Sequence, residues 1–167
     1  MKYIFCIFIY VFSINNCLAG VPENQEVRAV IKAFDESIQN KDKERFLDLF
    51  IEKGVSWIGV FSEKDMEVRT ALVEKINKED NKNLVATRTF LSTPQEFIEM
   101  IMSRETPSRE EFSNIKIHSD SNISTVYFDY IFYNDNKKQN WGSESWQLVQ
   151  TTKGWKIQAV SFSINRD

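Results

Sequence analysis

Two carboxyl groups in apolar stretches of the chain are its best candidates for acid–base chemistry. Asp129 lies in an aromatic run that also contains Tyr130, and Glu144 lies two residues before Trp146. Burial of an unpaired carboxylate costs free energy and raises its pKa, and a general base needs a pKa near the working pH. We therefore consider Asp129 as a general base, with the phenol of Tyr130 close enough to donate a hydrogen bond.

Each of these residues also has an ordinary structural explanation. The side chain of Asp129 could point outward, or it could pair with a lysine on an adjacent strand such as Lys116. Glu144 could face solvent or take part in a salt bridge. His118 is the single histidine and alternates with two isoleucines, so the pleat of a strand would turn it toward solvent.

Composition argues against several other kinds of site. The chain has one histidine, and its two cysteines, Cys6 and Cys17, both lie near the N-terminus. A protein zinc site usually draws on several such ligands, so we expect neither a metal nor another cofactor. With five glycines there is no glycine-rich phosphate loop. The net charge is −3, the pI is about 5.4 and no basic stripe is present, so nucleic-acid binding is not expected.

The aromatic residues suggest a site for an apolar ligand. Concave binding sites are often lined by aromatic side chains, with a few polar groups that orient the ligand. The same rings could instead fill the core or a dimer interface, and Trp141, beside a turn, fits an interface or an exposed position. The residues that we predict to contact a ligand are Trp57, Phe97, Tyr127, Glu144, Trp146 and Trp155.

Strands in the last third of the chain must position most of these candidates. Four runs rich in β-branched and aromatic residues predict strands, and the polar segments between them predict tight turns between antiparallel neighbours. The second run is apolar at almost every position, which predicts cover on both faces. The last two alternate in places, which predicts one buried and one wet face. The runs are Ile115–His118, Ile123–Tyr133, Gln139–Gln150 and Trp155–Ile164.

The first part of the chain has the pattern of a helical pair followed by a strand. Apolar residues recur on one helical face from Val27 to Ile38, and charged residues fill the other face. Asp42 is placed to cap a second, short helix, and Gly54 suits its C-terminal end. Val55–Phe61 is predicted as a strand.

The middle of the chain is harder to interpret. Ser62–Asn83 is rich in charge and has only a weak helical pattern, so it could cover a pocket mouth or be a solvated insertion. A short strand is predicted within Leu84–Leu91. Thr93 and Pro94 then form a strong helix start, with a glutamate where a capping box needs it. The predicted buried stripe of this helix is Phe97, Met100 and Ile101.

Residues 1–19 have the pattern of a secretory signal peptide. The apolar run Tyr3–Ile14 is too short to span a bilayer as a helix, and Cys17 and Ala19 stand at the usual cleavage positions. We therefore expect a secreted or periplasmic protein with one domain over residues 20–167 and no further membrane segment. A retained anchor helix and lipidation of Cys17 are the alternatives.

Three stretches of the chain together resemble the nuclear transport factor 2-like superfamily, in particular its SnoaL-like and ketosteroid-isomerase-like bacterial branches. They are the helix–turn–helix–strand opening Ala29–Phe61, the strand Gly142–Val149 and the turn into the last strand, Lys153–Ile157. The resemblance implies an α+β fold, in which a cone-shaped, curved antiparallel sheet wraps around the N-terminal helix. This cystatin-like α+β roll would leave a pocket in the concave face of the sheet.

The resemblance also implies a range of functions. Members often form dimers through the outer face of the sheet, and they include isomerases, dehydratases and proteins that only bind ligands. Members that shift protons use an aspartate or histidine base with a tyrosine or second acid, which carries over here to Asp129 and Tyr130. Because fold does not decide function, we expect first a homodimer that binds a small apolar molecule without catalysis. An isomerase- or dehydratase-type enzyme is the second hypothesis, and a protein-interaction module is the third.

Overall fold

The computed structural model describes residues 23–167, which form four helices and one six-stranded sheet. The helices are α1 (Glu23–Asn40), α2 (Lys43–Asp48), α3 (Glu63–Asp80) and α4 (Pro94–Met102). The strands are β1 (Ser56–Phe61), β2 (Thr89–Leu91), β3 (Ser108–Ser119), β4 (Ile123–Asn134), β5 (Lys137–Thr151) and β6 (Gly154–Ile164). The predicted signal peptide lies outside the described residues, as do Cys6 and Cys17. None of the four helices is both long and apolar enough to cross a membrane.

Helix α1 packs against the sheet through the apolar face that its sequence predicts. It ends at Asn40, where Lys41 takes a left-handed conformation with a φ of 54°. Asp42 then accepts a hydrogen bond from the amide of Arg45 at 3.0 Å and caps α2, as predicted. The buried residues of α1 are Val27, Val30, Ile31, Phe34, Ser37 and Ile38.

Helix α2 and the residues just after it turn Phe46, Leu49 and Phe50 inward, where all three are buried. The prediction that Gly54 ends this helix is wrong. The helix already ends at Leu49, and Gly54 lies in the loop before β1 with a φ of 79°. The physical reason is that the backbone leaves the helix to pair with β6, whose Ile157 amide donates to the Leu49 carbonyl at 2.8 Å.

The six strands are ordered β2-β1-β6-β5-β4-β3. Strands β3 to β6 form the predicted antiparallel meander. Strand β1 pairs with β2 in antiparallel fashion but with β6 in parallel fashion. The antiparallel sheet implied by the resemblance thus contains one parallel pair. The long stretch of chain between β1 and β6 permits this pairing, because parallel neighbours need a crossover rather than a tight turn.

The sheet is curved, as the resemblance implied. Its register shifts within β3 between Ser113 and Lys116, and Asn114 there has a φ of 53°. Further shifts follow Phe132 in β4 and Gln147 in β5. Such bulges bend a strand and increase its twist, and they help the sheet to curl around α1. The α+β roll with the N-terminal helix on its concave side is thereby confirmed.

Strand β4 has one buried and one open face, so the prediction of cover on both faces is wrong. Its burial alternates along the strand. Val126 and Phe128 are fully buried, whereas Tyr127 between them is 47% exposed. An aromatic or β-branched residue is therefore no sign of burial in this strand, because such residues also suit an exposed face of a sheet.

The ring of Phe34 in α1 lies at the centre of an aromatic core. Its centroid is 4.8 Å from that of Trp146 in β5 and 4.9 Å from that of Phe46 in α2. The Trp57 ring in β1 is stacked at 6.5 Å. Tilted and offset ring pairs of this kind add to the free energy gained from burial alone. They hold α1 in the concavity of the sheet.

The segment between β1 and α4 stands apart from this core. Helix α3 has no buried residue, and Val68 and Leu72 on it are 67% and 55% exposed. Strand β2 covers only the last three residues of the predicted Leu84–Leu91 strand. The solvated-insertion interpretation therefore holds for α3, while the end of the insertion, at β2, adds Phe90 to the cavity described below.

Helix α4 begins as predicted, since the Thr93 hydroxyl accepts a hydrogen bond from the Glu96 amide at 3.1 Å and Pro94 takes the first helical turn. Its buried stripe differs from the prediction. Ile98 is fully buried together with Ile101, whereas Met100 is 37% exposed. The helix docks through its isoleucines and turns its neighbouring face toward the cavity.

Candidate functional site

A cavity of about 370 Å³ lies between α1, α4 and the concave face of the sheet. Its volume is within the range of small-molecule sites, and its wall combines aromatic rings with a few charged groups, as such sites do. The lining residues are Phe34, Trp57, Phe90, Ser92, Glu96, Phe97, Met100, Arg104, Glu110, Tyr130, Phe132, Asn140, Glu144, Phe162, Ile164 and Arg166.

Burial distinguishes two ends of this cavity. Glu110, Tyr130 and Glu144 are buried, and we call the region that they form the inner end. Glu96 and Arg166 are exposed, and we call the region around them the rim. A ligand that entered past the rim would meet the two carboxyl groups last.

Strand register explains how the inner end is assembled. Glu144 on β5 pairs with Phe128 on β4, and Tyr130, two residues further along β4, pairs with Phe112 on β3. Alternate residues of a strand share a face, so Tyr130 and Glu144 point to the same, concave side. Glu110 precedes Phe112 by two residues and joins them there.

The carboxyl group of Glu144 lies at the inner end, and the residue is 4% exposed. Its Oε1 accepts a hydrogen bond from Nε1 of Trp146 at 2.7 Å, and no ion pair reaches it from any residue in 23–167. Burial raises the pKa of Glu144 to about 7, against the opposing effect of the Trp146 bond. The alternatives of a solvent-facing or salt-bridged Glu144 are therefore wrong.

Glu110 is the second carboxyl group of the inner end, and the residue is 8% exposed. Its Oε2 is buried and has no hydrogen-bond partner within the described part of the chain. Burial, followed by the nearby charges of Glu144 and Asp35, raises the pKa of Glu110 well above its usual value. A buried polar atom without a partner is uncommon in native proteins and points to a missing partner.

Sequence analysis missed Glu110 because it lies in a charged stretch before the predicted strand Ile115–His118. In the structure β3 begins at Ser108 and includes that stretch. Glu110 has the same parity as Phe112, which packs against the core. Extending the strand backward by parity from Phe112 would have placed Glu110 on the inner face.

The hydroxyl group of Tyr130 lines the cavity but is directed at protein acceptors. Its oxygen lies 2.9 Å from the carbonyl oxygen of Ser163 and 3.0 Å from Oδ1 of Asn140. A phenol has one proton to donate, so this group has little capacity left for a ligand carbonyl. Burial, followed by the charges of Glu144 and Glu110, raises the pKa of Tyr130 above its usual value.

Asp129 is turned away from the cavity, so the hypothesis that it is a buried base is wrong. Its Oδ2 accepts from the side-chain amide of Asn114 at 2.7 Å, and its Oδ1 accepts from the Ser143 hydroxyl at 2.9 Å. These two bonds, with a smaller contribution from the charge of Lys116, lower the pKa of Asp129. The pleat is the cause, because the flanking Phe128 and Tyr130 occupy the concave face.

Two of the predicted ligand-contacting residues, Trp57 and Phe97, form an aromatic wall of the cavity, with ring centroids 5.3 Å apart. Phe90, which sequence analysis did not single out, completes that wall. It can lie across β1 because Gly59 has no side chain there. A Cβ atom on Gly59 would come within 2.2 Å of the Phe90 ring.

Apart from Glu144, the remaining predicted residues do not line the cavity. Trp146 is buried behind it and reaches it only through the hydrogen bond to Glu144. Trp155 is buried elsewhere, with Nε1 3.2 Å from a carboxylate oxygen of Glu26. Tyr127 lies on the convex face, so its predicted contact with a ligand in this cavity is wrong. The reason is the pleat of β4, which also turns Asp129 away from the cavity.

Arginine side chains line the outer part of the cavity and were also not predicted. The guanidinium of Arg104 lies over the ring of Phe132 at 5.2 Å. Nη1 of Arg166 lies 3.2 Å from Oδ1 of Asp65, at the start of α3. Both arginines are thus oriented by other partners, and neither forms an ion pair with Glu110 or Glu144.

The described residues include no cluster of histidine, cysteine, aspartate or glutamate that could hold a metal ion. His118 is exposed on β3, as its parity predicts. The cavity itself presents two buried carboxyl groups within aromatic walls.

No protein-family model matches the chain, and no curated protein matches it in sequence. Solved structures do share its fold at low identity. A nuclear transport factor 2 (NTF2-like) superfamily protein from Salmonella enterica serovar Typhimurium LT2 is 16% identical, with a TM-score of 0.58 over 87% of this chain and 92% of that chain. An NTF2-like protein of unknown function from Pseudomonas putida KT2440 is 9% identical, with a TM-score of 0.60 over 86% and 87%.

A third protein, from Novosphingobium aromaticivorans, is described as NTF2-like with a cystatin-like fold. It is 10% identical, with a TM-score of 0.58 over 85% of this chain and 81% of that chain. The chain therefore has the nuclear transport factor 2-like, cystatin-like fold that its sequence resemblance implied. Identity at this level speaks for the fold alone, so the SnoaL-like or ketosteroid-isomerase-like branch stays a prediction.

Proposed function

Given this fold, we propose that the protein reversibly binds a small molecule with a largely apolar body in the cavity under α4. The observation that supports it is the pairing of an aromatic wall with a buried carboxyl oxygen, on Glu110, that the described chain leaves without a partner. A core that served stability alone would fill such a volume with apolar side chains, since an unpartnered buried polar atom costs about 1–3 kcal/mol.

Titration followed by amide NMR tests this proposal. The probes are neutral aromatic compounds, indole and naphthalene, added to the purified protein. We expect saturable shifts in cavity residues such as Trp57, Phe97 and Phe162, and none around Tyr127 on the convex face. Shifts confined to the convex face would overturn the proposal, as would the failure of both probes together with the two phenyl compounds described below.

A second candidate function is proton transfer on a bound ligand, of the isomerase or dehydratase type. It is favoured by Glu144, a cavity-lining carboxyl group whose burial raises its pKa to about 7, within the range that suits a general base. Glu144 thus takes the role first considered for Asp129. Glu110, whose pKa is raised well above its usual value, would keep its proton and donate to a carbonyl in place of Tyr130.

Deuterium exchange measures that activity without knowledge of the natural substrate. A cyclic ketone, 2-tetralone, is incubated in deuterated buffer with the protein, and loss of its α-protons is followed by NMR. We expect faster exchange than in buffer, abolished in Glu144→Gln and unchanged in the matched convex-face variant Asp129→Asn. Exchange at the buffer rate, or full exchange in Glu144→Gln, would count against this candidate.

We also propose that the protein is exported, on the strength of the leader pattern in residues 1–19. An intact mass that lacks these residues is expected after expression with the full leader. A mass increase from a lipid, with Cys17 as the first residue, would instead support the lipidated form. The unprocessed mass would rule out both.

We further propose a homodimer formed through the convex face of the sheet, where Ile123 is 57% and Tyr127 47% exposed. The third hypothesis, a protein-interaction module, would use the same face. Sedimentation velocity distinguishes a dimer from a monomer, and Tyr127→Asp is expected to weaken the dimer. A monomer at all accessible concentrations would exclude the homodimer.

A further inference from the structure

We propose that the ligand of this cavity is an organic cation, with an ammonium group attached to an aromatic or aliphatic body, and that its nitrogen lies between Glu110 and Glu144. This inference rests on the proposed binding function and specifies the chemistry of the ligand. It depends on the two carboxyl groups, the walls around them and the fact that no lysine or arginine in residues 23–167 forms an ion pair with either.

The first argument is the missing partner of Glu110. Glu110 is 8% exposed and lines the cavity. Its Oε2 is buried and receives no hydrogen bond from any residue in 23–167. A buried carboxyl group is normally paired with a cation or with hydrogen-bond donors. An ammonium group brings three N–H donors and a positive charge, which together supply what this oxygen lacks.

The second argument is that two carboxyl groups, and not one, meet at the inner end. Glu144 and Glu110 repel each other when both are ionised, and within the described chain no lysine or arginine forms an ion pair with either. A cation placed between them replaces that repulsion by two attractions. Trp146 holds Oε1 of Glu144, so the orientation of that carboxyl group is fixed in advance.

The third argument comes from the walls. Trp57 and Phe97 present their rings to the cavity, together with Phe34 and Phe162. Aromatic faces attract ammonium groups, most strongly where water is excluded. The same rings can also pack against an apolar body, so a single molecule with a charged head and an apolar tail would use the whole lining.

The arginines do not take the place of such a cation. Arg166 is exposed at the rim and paired with Asp65. Arg104 is stacked on Phe132 and donates from Nε to the sulfur of Met100 at 3.2 Å. The unpaired acidic groups thus lie at the inner end, which would orient an amine with its head inward.

Isothermal titration with a matched pair of probes tests the inference. 2-Phenylethylamine carries the charge, and 2-phenylethanol has nearly the same size and shape without it. We expect the amine to bind at least about tenfold more tightly at neutral pH, as for a desolvated charge pair. We also expect proton release on binding, because the ammonium group stabilises the ionised carboxyl groups.

The outcomes separate this inference from the binding function beneath it. Equal affinity for the amine and the alcohol would overturn the organic-cation assignment and leave small-molecule binding intact. Failure of both phenyl probes, together with indole and naphthalene, would overturn both proposals. Proton uptake in place of release would contradict a cation between two carboxylates.

Variants locate the charge recognition. Glu110→Gln and Glu144→Gln are each expected to weaken amine binding by at least about tenfold, with little change for the alcohol. Asp129→Asn, on the convex face, is the matched control and should change neither. Because glutamine keeps the size of glutamate, the fold should be retained, which circular dichroism can verify. Unchanged amine affinity in both glutamate variants would overturn the inference.

Discussion

Asp129 and Glu144 lie on adjacent strands of one sheet, and their pKa values are shifted in opposite directions. Asp129 is paired in register with Ser143, the residue just before Glu144, so the two carboxyl groups project to opposite faces. On the convex face, hydrogen bonds from Asn114 and Ser143 lower the pKa of Asp129. On the concave face, burial raises the pKa of Glu144.

The comparison teaches that position across the pleat, and not the neighbouring sequence, decides what a carboxyl group in this sheet can do. Both residues lie in strands that contain aromatic side chains. Asp129 accepts two hydrogen bonds on the convex face, whereas Glu144 accepts one on the concave face and is 4% exposed. A shift of one residue in register would exchange their surroundings.

The largest expected effect tests whether the two faces differ in stability as they do in electrostatics. Phe34→Ala removes the ring around which the concave-face aromatics pack and should lower the free energy of unfolding by about 3–5 kcal/mol. The convex-face control, Tyr127→Ala, should lower it by less than about 1 kcal/mol. Urea unfolding followed by tryptophan fluorescence measures both. Similar losses of unfolding free energy in the two variants would contradict the expected difference in stability between the concave and convex faces.

The pH dependence of stability gives the next largest effect. The folded protein keeps a proton on Glu144 up to about pH 7, whereas the unfolded chain releases it near its usual pKa of 4.5. The folded state therefore loses stability as the pH rises between these values, by roughly 3 kcal/mol at most. Glu144→Gln removes the ionisation and should be more stable than the wild type at mildly alkaline pH, with little difference in acid.

Asp129→Asn is the matched variant for that measurement, and its expected effect on stability is opposite to that of Glu144→Gln. The lowered pKa of Asp129 means that its carboxylate favours the folded state above the unfolded pKa and loses this contribution in acid. Its substitution should therefore slightly destabilise the protein at neutral pH. Thermal unfolding across a pH series measures the stability of both variants. If both substitutions stabilised the protein, or both destabilised it, at neutral to mildly alkaline pH, the contrast between the two faces would be contradicted.

A smaller effect is expected from the indole N–H that holds Glu144. Trp146→Phe removes the hydrogen bond to Oε1 and should raise the pKa of Glu144 further, by about one unit. A carbon-13 NMR titration of the carboxyl groups follows this shift. Asp129, on the other face, serves as the internal control and should titrate as in the wild type. A lower pKa for Glu144 would mean that the bond does not stabilise its ionised form.

The smallest expected change is on the convex face. Ser143→Ala removes one of the two donors to Asp129 and should raise its pKa, although Asn114 still donates. The same NMR titration measures it. The pKa of Glu144, on the opposite face, should stay at its wild-type value, and a joint shift would show that the two faces are electrostatically coupled.

Most of the fold could be predicted from the sequence, because its elements carry their own local signals. The apolar stripe from Val27 to Ile38, the caps at Asp42 and Thr93, and the alternating strands each obey a rule that operates within a few residues. The parallel pairing of β1 with β6 obeys no such rule. It joins segments about a hundred residues apart, and nothing in either strand encodes the partner.

The site was harder to predict because it depends on which side of the sheet a residue faces. Of the predicted site residues, Trp57, Phe97, Tyr130 and Glu144 line the cavity. Asp129 and Tyr127 share a strand with Tyr130, and an almost wholly apolar strand gives no parity signal. Glu110 was hidden because charged residues at the start of β3 resemble a loop.

The position of β6 within the sheet has a consequence for how the chain reaches this state. Among the described elements it comes last, yet it lies between β5 and β1 and joins both. The β3–β5 ribbon can form while the chain is still emerging from the ribosome, but β1 has no long strand to adhere to until residues 154–164 arrive. The pairing of β1 with β5 through β6 is therefore completed only when the last strand is available.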